Sequence, residues 1–591
     1  MEANKNRILT RTFLQLMLVN ILMGLVQPCN QLVDSILTGN SLGLEAMEAF
    51  SLFFPVGGLV IALGSVFSIG VQINCSHMLG SGKFDEIKGL LKTAFTSAVV
   101  FSLVFAVLLF VFSSQVSVLI GAKEEVAGQI GLTSEYLRGY SVGIPAIFLM
   151  NIMLSLMQLE GKKNIVILLT VSNLIVNAAG DIANILVFKK GLFGMAFATS
   201  AANITVFLIL LIYFLFFSKM FRFSLSLPVR KYLKAILHDG FPSLSYFGSI
   251  VVRAIIFNYL IINNFGQTTL AVMLVVNSFT TIVDATIGGT GDAVLLVGGV
   301  LFGEKDILSQ RRLIKTAVIA GGVLLLVITV FSAVAAIPIA ELFSDNSEPE
   351  FVLQTARAIR ITALCFVPDV IACVLKKYIQ SVGRAAYTSV TNILSNVVYI
   401  CSAAFVLTYV IGVDGLFFSF LVCYLLTLVT HIVYAFYLSR KSRRRGADIF
   451  LYLPEDYDVL PEDIYEYGIS TETGCFEASK WANDICKARE IDSKRTMFIS
   501  LFVEEMTVNT VRYGFRPGKN NYINLKLIFL GDKVLLNIKD NCLLFDPKSY
   551  FDKLDEKDSP ESGVGIRIIM RLSKKVVYTN SFNINNLLVE V

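Results

Sequence analysis

The sequence predicts an all-α polytopic membrane bundle followed by a smaller soluble domain at the C-terminus. The chain of 591 residues has a mean hydropathy of +0.69, and 55% of its residues are hydrophobic, which is typical of integral membrane proteins. Apolar stretches long enough to span a bilayer follow one another as far as Leu438, and none follows Asp448. The charges divide at the same place. Residues 1–447 contain 32 basic and 22 acidic residues, net +10, and the remainder contains 18 and 23, net −5.

Twelve membrane spans are predicted. One set of connecting loops is rich in basic residues such as Lys83, Lys162 and Arg311, whereas the opposite set contains acidic residues such as Glu45 and Glu341. Because basic loops face the cytoplasm, both termini and the soluble domain are expected there. The predicted spans lie at about residues 13–37, 50–72, 92–113, 135–158, 164–188, 192–217, 241–262, 271–300, 314–338, 357–381, 386–410 and 413–438.

The bundle contains an internal repeat. Short loop motifs recur with one offset of 222 residues, at Lys83 and Lys305, at Arg138 and Arg360, and at Gly161 and Gly383. Six spans per repeat give both halves the same topology, as in transporters that rock two lobes about a central cavity. We therefore predict a first lobe at 1–222, a second lobe at 223–445 and a soluble domain at 446–591.

Three polar residues inside predicted spans are candidates for coupling transport to a cation. Asp34 lies in span 1, and Asn177 and Asp181 lie one helical turn apart in span 5. Ionisable residues at membrane depth are costly, so they indicate function. Buried carboxylates suit proton exchange, and oxygen ligands also suit sodium. The alternative is that Asp34 caps a turn at the membrane boundary. The positions 222 residues further on are Ile256 and Ala403, so coupling is expected in the first lobe.

The order of several motifs identifies a family resemblance. The motifs include Val33-Asp34-Ser35-Ile36, Leu79-Gly80-Ser81-Gly82-Lys83, Glu160-Gly161-Lys162 and the pair Asn177 and Asp181. With them, the first 440 or so residues resemble the multidrug and toxic compound extrusion (MATE) family. The resemblance implies two six-helix lobes and export of small organic compounds in exchange for H⁺ or Na⁺. The span 1 aspartate and the span 5 pair match the acids of the family's prokaryotic, DinF-like branch.

Further expectations follow from this resemblance. The protein is expected in a prokaryotic plasma membrane, in contact with lipid and a small organic substrate, and with no nucleic-acid partner. Another branch of the family uses a glutamate in span 7. This sequence has Arg253 and no acid in that span, which argues against the same coupling scheme.

The soluble domain carries residues of a nucleotide pocket. A predicted helix at 498–514 places Glu505 and Asn509 on one face, and Asp540 ends a predicted strand. Gly563 and Gly565 precede another helix, and no GxxxxGK[ST] motif occurs in the chain. In this order the residues resemble the GHKL ATP-binding fold, closest to the anti-sigma-factor serine-kinase type, over about 455–591.

The GHKL resemblance implies an α/β sandwich that binds Mg-ATP. By resemblance, Asn509 would hold magnesium, Glu505 would act as a general base, and Asp540 would read the adenine amino group. Gly563 and Gly565 would let backbone N–H groups approach phosphates. The sequence departs from the family at Cys542 and Leu544, where glycines are usual. Side chains at these positions could crowd the adenine pocket, which leaves ATP hydrolysis and kinase turnover open.

Three functions are compatible with these features. The first is a cation-coupled exporter whose cytoplasmic domain senses nucleotide or a regulatory protein partner. The second is a membrane-tethered serine kinase or anti-sigma-like regulator that uses the bundle as a sensor. The third is a flippase for a lipid-linked molecule. The intact acids of the first lobe favour the exporter, and the absence of a P-loop motif predicts efflux without ATP hydrolysis.

Overall fold

The structure is a computed structural model that describes most of the chain. Ten of the described helices are long and apolar enough to cross a membrane, or twelve if each of two bent helix pairs counts as one span. This agrees with the twelve spans predicted from the sequence. The described residues are 7–123, 128–218, 220–342, 349–441, 446–454, 457, 459–518, 521–551 and 564–591.

The first lobe consists of helices and their connecting loops, with no strand among its described residues. Its span 4 bends by 43° between two helices, where Pro145 follows the break. Its helices are α1 (Arg7–Leu42), α2 (Leu44–Ser51), α3 (Phe54–Gly80), α4 (Phe84–Val111), α5 (Ser113–Leu119), α6 (Gln129–Ser141), α7 (Ile144–Leu159), α8 (Lys163–Ala183) and α9 (Gly191–Ile212), with π-helical turns at Asn184–Phe188 and Tyr213–Phe217.

The second lobe repeats this arrangement. Its span 10 bends by 42° at the equivalent place, next to Pro368. Its helices are α10 (Arg230–Asn264), α11 (Gly266–Gly303), α12 (Ile307–Val334), α13 (Ala336–Leu342), α14 (Pro349–Ala363), α15 (Phe366–Ser381), α16 (Ala385–Ile393), α17 (Ile400–Ile411) and α18 (Asp414–Lys441), with a π-helical turn at Leu394–Tyr399.

The soluble domain is a two-layer α/β sandwich. Its antiparallel sheet has the order β1-β2-β3-β5-β4, and one face packs on α19 and α20 around residues such as Phe502 and Leu536. The other face lies against one end of the membrane bundle, here called the domain-facing side. The strands are β1 (Ile464–Ile469), β2 (Ile523–Leu530), β3 (Lys533–Asp540), β4 (Lys575–Ser581) and β5 (Ile584–Glu590), and the helices are α19 (Glu472–Ala488), α20 (Ser493–Asn509), α21 (Pro547–Phe551) and α22 (Val564–Leu572).

The two lobes touch through backbone on the domain-facing side. A Cβ atom added to Gly240 of α10 would lie 1.9 Å from the Val66 carbonyl oxygen of α3. One added to Gly303, at the end of α11, would lie 2.3 Å from the His77 carbonyl oxygen. Glycine permits this approach because it has no side chain, as in many membrane helix pairs. The bundle is therefore closed on the domain-facing side.

A glycine inside the first lobe should be needed for helix packing. A Cβ atom on Gly139 of α6 would lie 2.5 Å from the Phe193 carbonyl oxygen, whereas one on Gly322 of α12 would meet no atom within 4 Å. We expect Gly139→Val to lower the free energy of unfolding by about 1–3 kcal/mol, the cost of overpacking. Thermal unfolding in detergent measures this, with Gly322→Val as the matched control. Equal stability of the two variants would contradict the prediction.

Candidate functional site

The three candidate coupling residues form one buried cluster in the first lobe. The Asn177 Nδ2 atom donates to Asp34 Oδ1 at 2.8 Å and to Asp181 Oδ2 at 3.2 Å. Asp34 is 5% exposed, and Asn177 and Asp181 are fully buried. The Thr199 hydroxyl lies 3.5 Å from Asp34 Oδ2. The Asn177 amide thus joins span 1 to span 5 by bridging two carboxyl groups. Asp34 is buried in this contact and does not cap a turn at the membrane boundary.

The cluster has unsatisfied oxygen atoms. Asn177 Oδ1 and Asp181 Oδ1 are buried and accept no hydrogen bond. In the described part of the chain, no lysine or arginine forms a salt bridge with Asp34 or Asp181. Buried oxygens without a donor are costly, so they suit a bound proton or an oxygen-coordinated cation such as Na⁺.

A row of amides continues from the cluster and was missed in the sequence. Asn30 Nδ2 donates to Asn173 Oδ1 at 3.3 Å, and Asn173 Nδ2 donates to Asn203 Oδ1 at 3.0 Å. A signal was present, because Asn173 precedes Asn177 by one helical turn. The amides extend the polar surface of the first lobe along α8 without adding charge.

Asp34 opens onto a cavity of about 390 Å³. Its walls are aromatic and aliphatic, and the polar groups are amides, hydroxyls and the one carboxylate. Phe247 of the second lobe also contributes to the wall. Such a cavity suits an apolar organic molecule with a few polar or cationic groups. Other lining residues are Gln27, Asn30, Phe50, Phe53, Tyr136, Tyr140, Met150 and Asn173.

The second lobe has a different polar core. Arg253 Nη1 donates to Asn396 Oδ1 at 3.4 Å, and its guanidinium lies 5.7 Å from the centre of the Phe420 ring. Lys377 pairs with Asp292 at 2.7 Å. The Arg253–Asn396 contact joins spans 7 and 11, as the Asp34 cluster joins spans 1 and 5. The second lobe therefore combines cations with acids, since Arg253 also interacts electrostatically with Asp284 and Asp369.

The soluble domain places the predicted adenine-reading aspartate at the end of β3. Asp540 is 7% exposed. Its Oδ1 atom accepts a hydrogen bond from Asn585 Nδ2 at 2.8 Å and another from the Cys542 N–H at 2.9 Å. Burial raises the pKa of the Asp540 carboxyl, although these hydrogen bonds oppose the shift. The carboxylate is therefore held in one orientation by the neighbouring strand.

Cys542 is packed beneath the same site. Its side chain is 3% exposed, and burial raises the pKa of its thiol. Its Cβ atom would lie 3.2 Å from a Cβ added to Gly514, and the Leu543 N–H donates to the Gly514 carbonyl oxygen at 2.9 Å. These contacts join the segment after Asp540 to the π-helical turn Thr510–Gly514, which follows α20. Leu544 is exposed.

The remaining predicted nucleotide residues occupy the helix ends near this junction. Glu505 and Asn509 are half-buried in the last turns of α20, and no described residue hydrogen-bonds to the Asn509 side chain. Gly565 lies in the first turn of α22, which packs against α20. Gly563 lies outside the described residues. This arrangement fits a nucleotide and its metal. The groups that would hold them are the Asn509 amide, the Asp540 carboxylate and the N-terminus of α22.

Comparisons with known proteins agree with this division of the chain. The MatE family matches residues 20–183 and 246–405, and the histidine kinase-like ATPase domain family matches residues 474–589. The probable multidrug resistance protein YoeA of Bacillus subtilis is 24% identical over 64% of this chain and 82% of that protein. The multidrug export protein MepA of Staphylococcus saprophyticus is 22% identical over the same shares.

Solved structures share the fold of the bundle. An outward-facing multidrug resistance MATE transporter of the MOP superfamily aligns with a TM-score of 0.67 at 20% identity, covering 73% of this chain and 96% of that one. A MOP superfamily transporter from Pyrococcus furiosus, described as having a binding pocket of reverse polarity, aligns with a TM-score of 0.66 at 20% identity, covering 71% and 95%. With both repeats matched over more than half of its length, this multi-pass membrane protein belongs to the MatE family and carries a C-terminal histidine kinase-like ATPase domain.

Proposed function

We propose that the protein is an exporter of organic compounds driven by a proton or sodium gradient. The observation that carries the proposal is the buried cluster in which Asn177 bridges Asp34 and Asp181. Two carboxyl groups this close, without a basic partner, cannot both carry a full charge in an apolar environment. A proton or a sodium ion would therefore be part of the cluster whenever it is closed to water.

The cluster is placed where cation and substrate can affect each other. Asp34 belongs both to the cluster and to the wall of the cavity. A change in its charge alters the polarity of the cavity, and a cationic substrate there would compete with the coupling cation. The aromatic walls of the cavity favour apolar organic compounds as substrates. The similarity to a probable multidrug resistance protein and a multidrug export protein favours the same class.

The basic loops favour a plasma-membrane location with the soluble domain in the cytoplasm. ATP is available there, and the domain would bind Mg-ATP as a regulator of transport. The position of Asp540 on β3 supports such a regulatory role. The preceding residue, Lys539, points to the opposite face of the sheet and pairs with Glu304 of the bundle. Nucleotide and bundle would thus contact consecutive residues of β3.

Transport should require the carboxyl groups of the first lobe. We expect Asp34→Asn or Asp181→Asn to reduce gradient-driven ethidium efflux from proteoliposomes to background, because an amide cannot gain and lose a cation. Glu135→Gln, which removes an exposed acid from α6, is the matched control and should transport normally. Wild-type rates in both aspartate variants would refute the assignment.

Efflux should proceed without nucleotide, because the ion gradient supplies the free energy. We expect proteoliposomes under an imposed proton or sodium gradient to export ethidium in the absence of ATP. Imposing each gradient separately identifies the coupling ion. Export that needs internal ATP and persists after both gradients collapse would contradict cation coupling.

The soluble domain should bind Mg-ATP in the full-length protein. We expect Asn509→Ala to weaken binding roughly tenfold or more, because it removes a ligand of the metal, a loss on the scale of one charge-assisted contact. Calorimetry in detergent measures the affinity. Asn483→Ala, on the neighbouring helix α19, is the control and should bind as the wild type does. No heat of binding in the wild type would limit the domain to protein contacts.

A further inference from the structure

The soluble domain is fixed to the second lobe by buried ion pairs. Five residues on the outer face of its sheet, here called the docking face, are Glu466, Asn524, Lys526, Lys539 and Asn586. Lys526, Lys539 and Asn586 meet the loop between α11 and α12. Glu466 instead meets Arg312 of α12 and accepts a hydrogen bond from Asn524. Lys526 pairs with Asp306, and Lys539 pairs with Glu304 and Asp306. Asn586 Nδ2 donates to Glu304 Oε1 at 2.7 Å.

These charges compensate one another away from water. Lys526, Asp306 and Glu304 are each less than 7% exposed, at 2%, 2% and 6%. Burial alone would raise the pKa of Asp306, but Lys526 and Lys539 hold it well below its usual range. Each charge has its partner on the other side of the interface, so these pairs fix the orientation of the domain on the second lobe while it is docked.

The connection from the bundle to the domain adds contacts to the same lobe. Arg311 pairs with Asp448, and Arg312 pairs with Glu466 of the docking face. Arg384 donates to the carbonyl oxygens of Tyr452 at 2.6 Å and Leu453 at 3.0 Å. The soluble domain and the second lobe are therefore held together at several charged points and would move as one body.

Contact with the first lobe is made through two loops, and the turn between β4 and β5 meets one of them. The turn between β4 and β5 places Phe582 and Asn583 at φ of 58° and 61°. The Phe582 N–H donates to the Leu159 carbonyl oxygen at 3.2 Å, and Asn583 Nδ2 donates to the Gly161 carbonyl oxygen at 2.8 Å. These are neutral hydrogen bonds, and the described residues form fewer of them than the charged contacts to the second lobe.

Nearby, β4 touches a second loop of the first lobe. A Cβ atom on Gly82 would lie 2.4 Å from the Val577 Cγ1 atom, so the loop after α3 packs directly on the strand. We call the β4–β5 turn together with Val577 the latch. It joins both domain-facing loops of the first lobe to a domain that is fixed to the second.

We infer that the docked domain is a releasable lock between the two lobes. The lobes of such transporters move against each other, and opening toward the domain must separate their domain-facing ends. The chain joins the domain covalently to the second lobe, and the charged contacts described above are made to the same lobe. The latch is therefore the part that opens. Regulation of transport by this domain, which rests on the proposed function, would act by strengthening or weakening the latch.

The inference can be tested by measuring the distance between the lobes. Spin labels are placed on Lys88→Cys of α4 and Lys315→Cys of α12, two exposed positions on opposite lobes. Cys29 is replaced first, since the other eight native cysteines are buried. Electron–electron double resonance then reports the populations of closed and open states in full-length protein.

The informative variant is Asn583→Gly. Glycine keeps the positive φ of the turn and removes the hydrogen bond to Gly161. We expect the ratio of open to closed protein to rise about threefold to tenfold, the effect of one hydrogen bond. Val577→Ala should raise it independently. The control is Asp532→Gly, an exposed residue of the β2–β3 turn, which should leave the ratio unchanged.

The outcomes separate this inference from the proposed function. Distances identical to the wild type in both Asn583→Gly and Val577→Ala would overturn the latch. Ethidium efflux and Mg-ATP calorimetry are measured on the same preparations. If those fail while the distances shift, the proposed function fails and the latch stands. If efflux and Mg-ATP binding succeed while the distances do not shift, only the latch is refuted.

Discussion

A charge removed from water must find a partner, and this constraint governs both parts of the molecule. At the docking face the constraint is met, because Lys526 and Lys539 pair with Asp306 and Glu304. In the first lobe it is not met, because the Asp34 cluster leaves buried oxygens without a donor. Satisfied buried charges fix a geometry, whereas unsatisfied ones need an external cation. The same physical rule thus separates a structural site from a candidate coupling site.

The internal repeat supplies the surface on which the domain docks. Gly82 and Gly161 of the first lobe, and Asp306 and Arg384 of the second, belong to loops that are equivalent in the two repeats. All four loops touch the soluble domain. The loops of the second lobe contact the domain through charged side chains, whereas those of the first contact it through the glycines Gly82 and Gly161. The soluble domain is therefore attached to the second lobe by charged contacts and to the first lobe by neutral ones.

Much of the architecture could be predicted from the sequence, because hydropathy and spacing are local signals. The spans, the repeat and the shared face of Asn177 and Asp181 follow from helical periodicity. The contact of Asp34 with that pair joins residues 143 apart, and sequence periodicity does not reveal it. Lys526 and Lys539 were missed because alternating charges on a strand normally indicate a solvated face. Only docking onto the bundle buries them.

The geometry of β3 and β5 relates the nucleotide site to the lock. Asp540 is opposite Asn585 in the ladder, and Lys539 is opposite Asn586. The first pair faces the helices and the second faces the bundle, because successive strand residues alternate between faces. Asn585 also donates to the Leu543 carbonyl oxygen at 3.0 Å. A ligand shifts an equilibrium only as far as it binds two states differently. For nucleotide to affect the lock, it must therefore bind the docked and released states differently. The ends of β3 and β5 are placed to transmit such a difference, because Asp540 and Asn585 are each adjacent in the chain to a residue of the docking face.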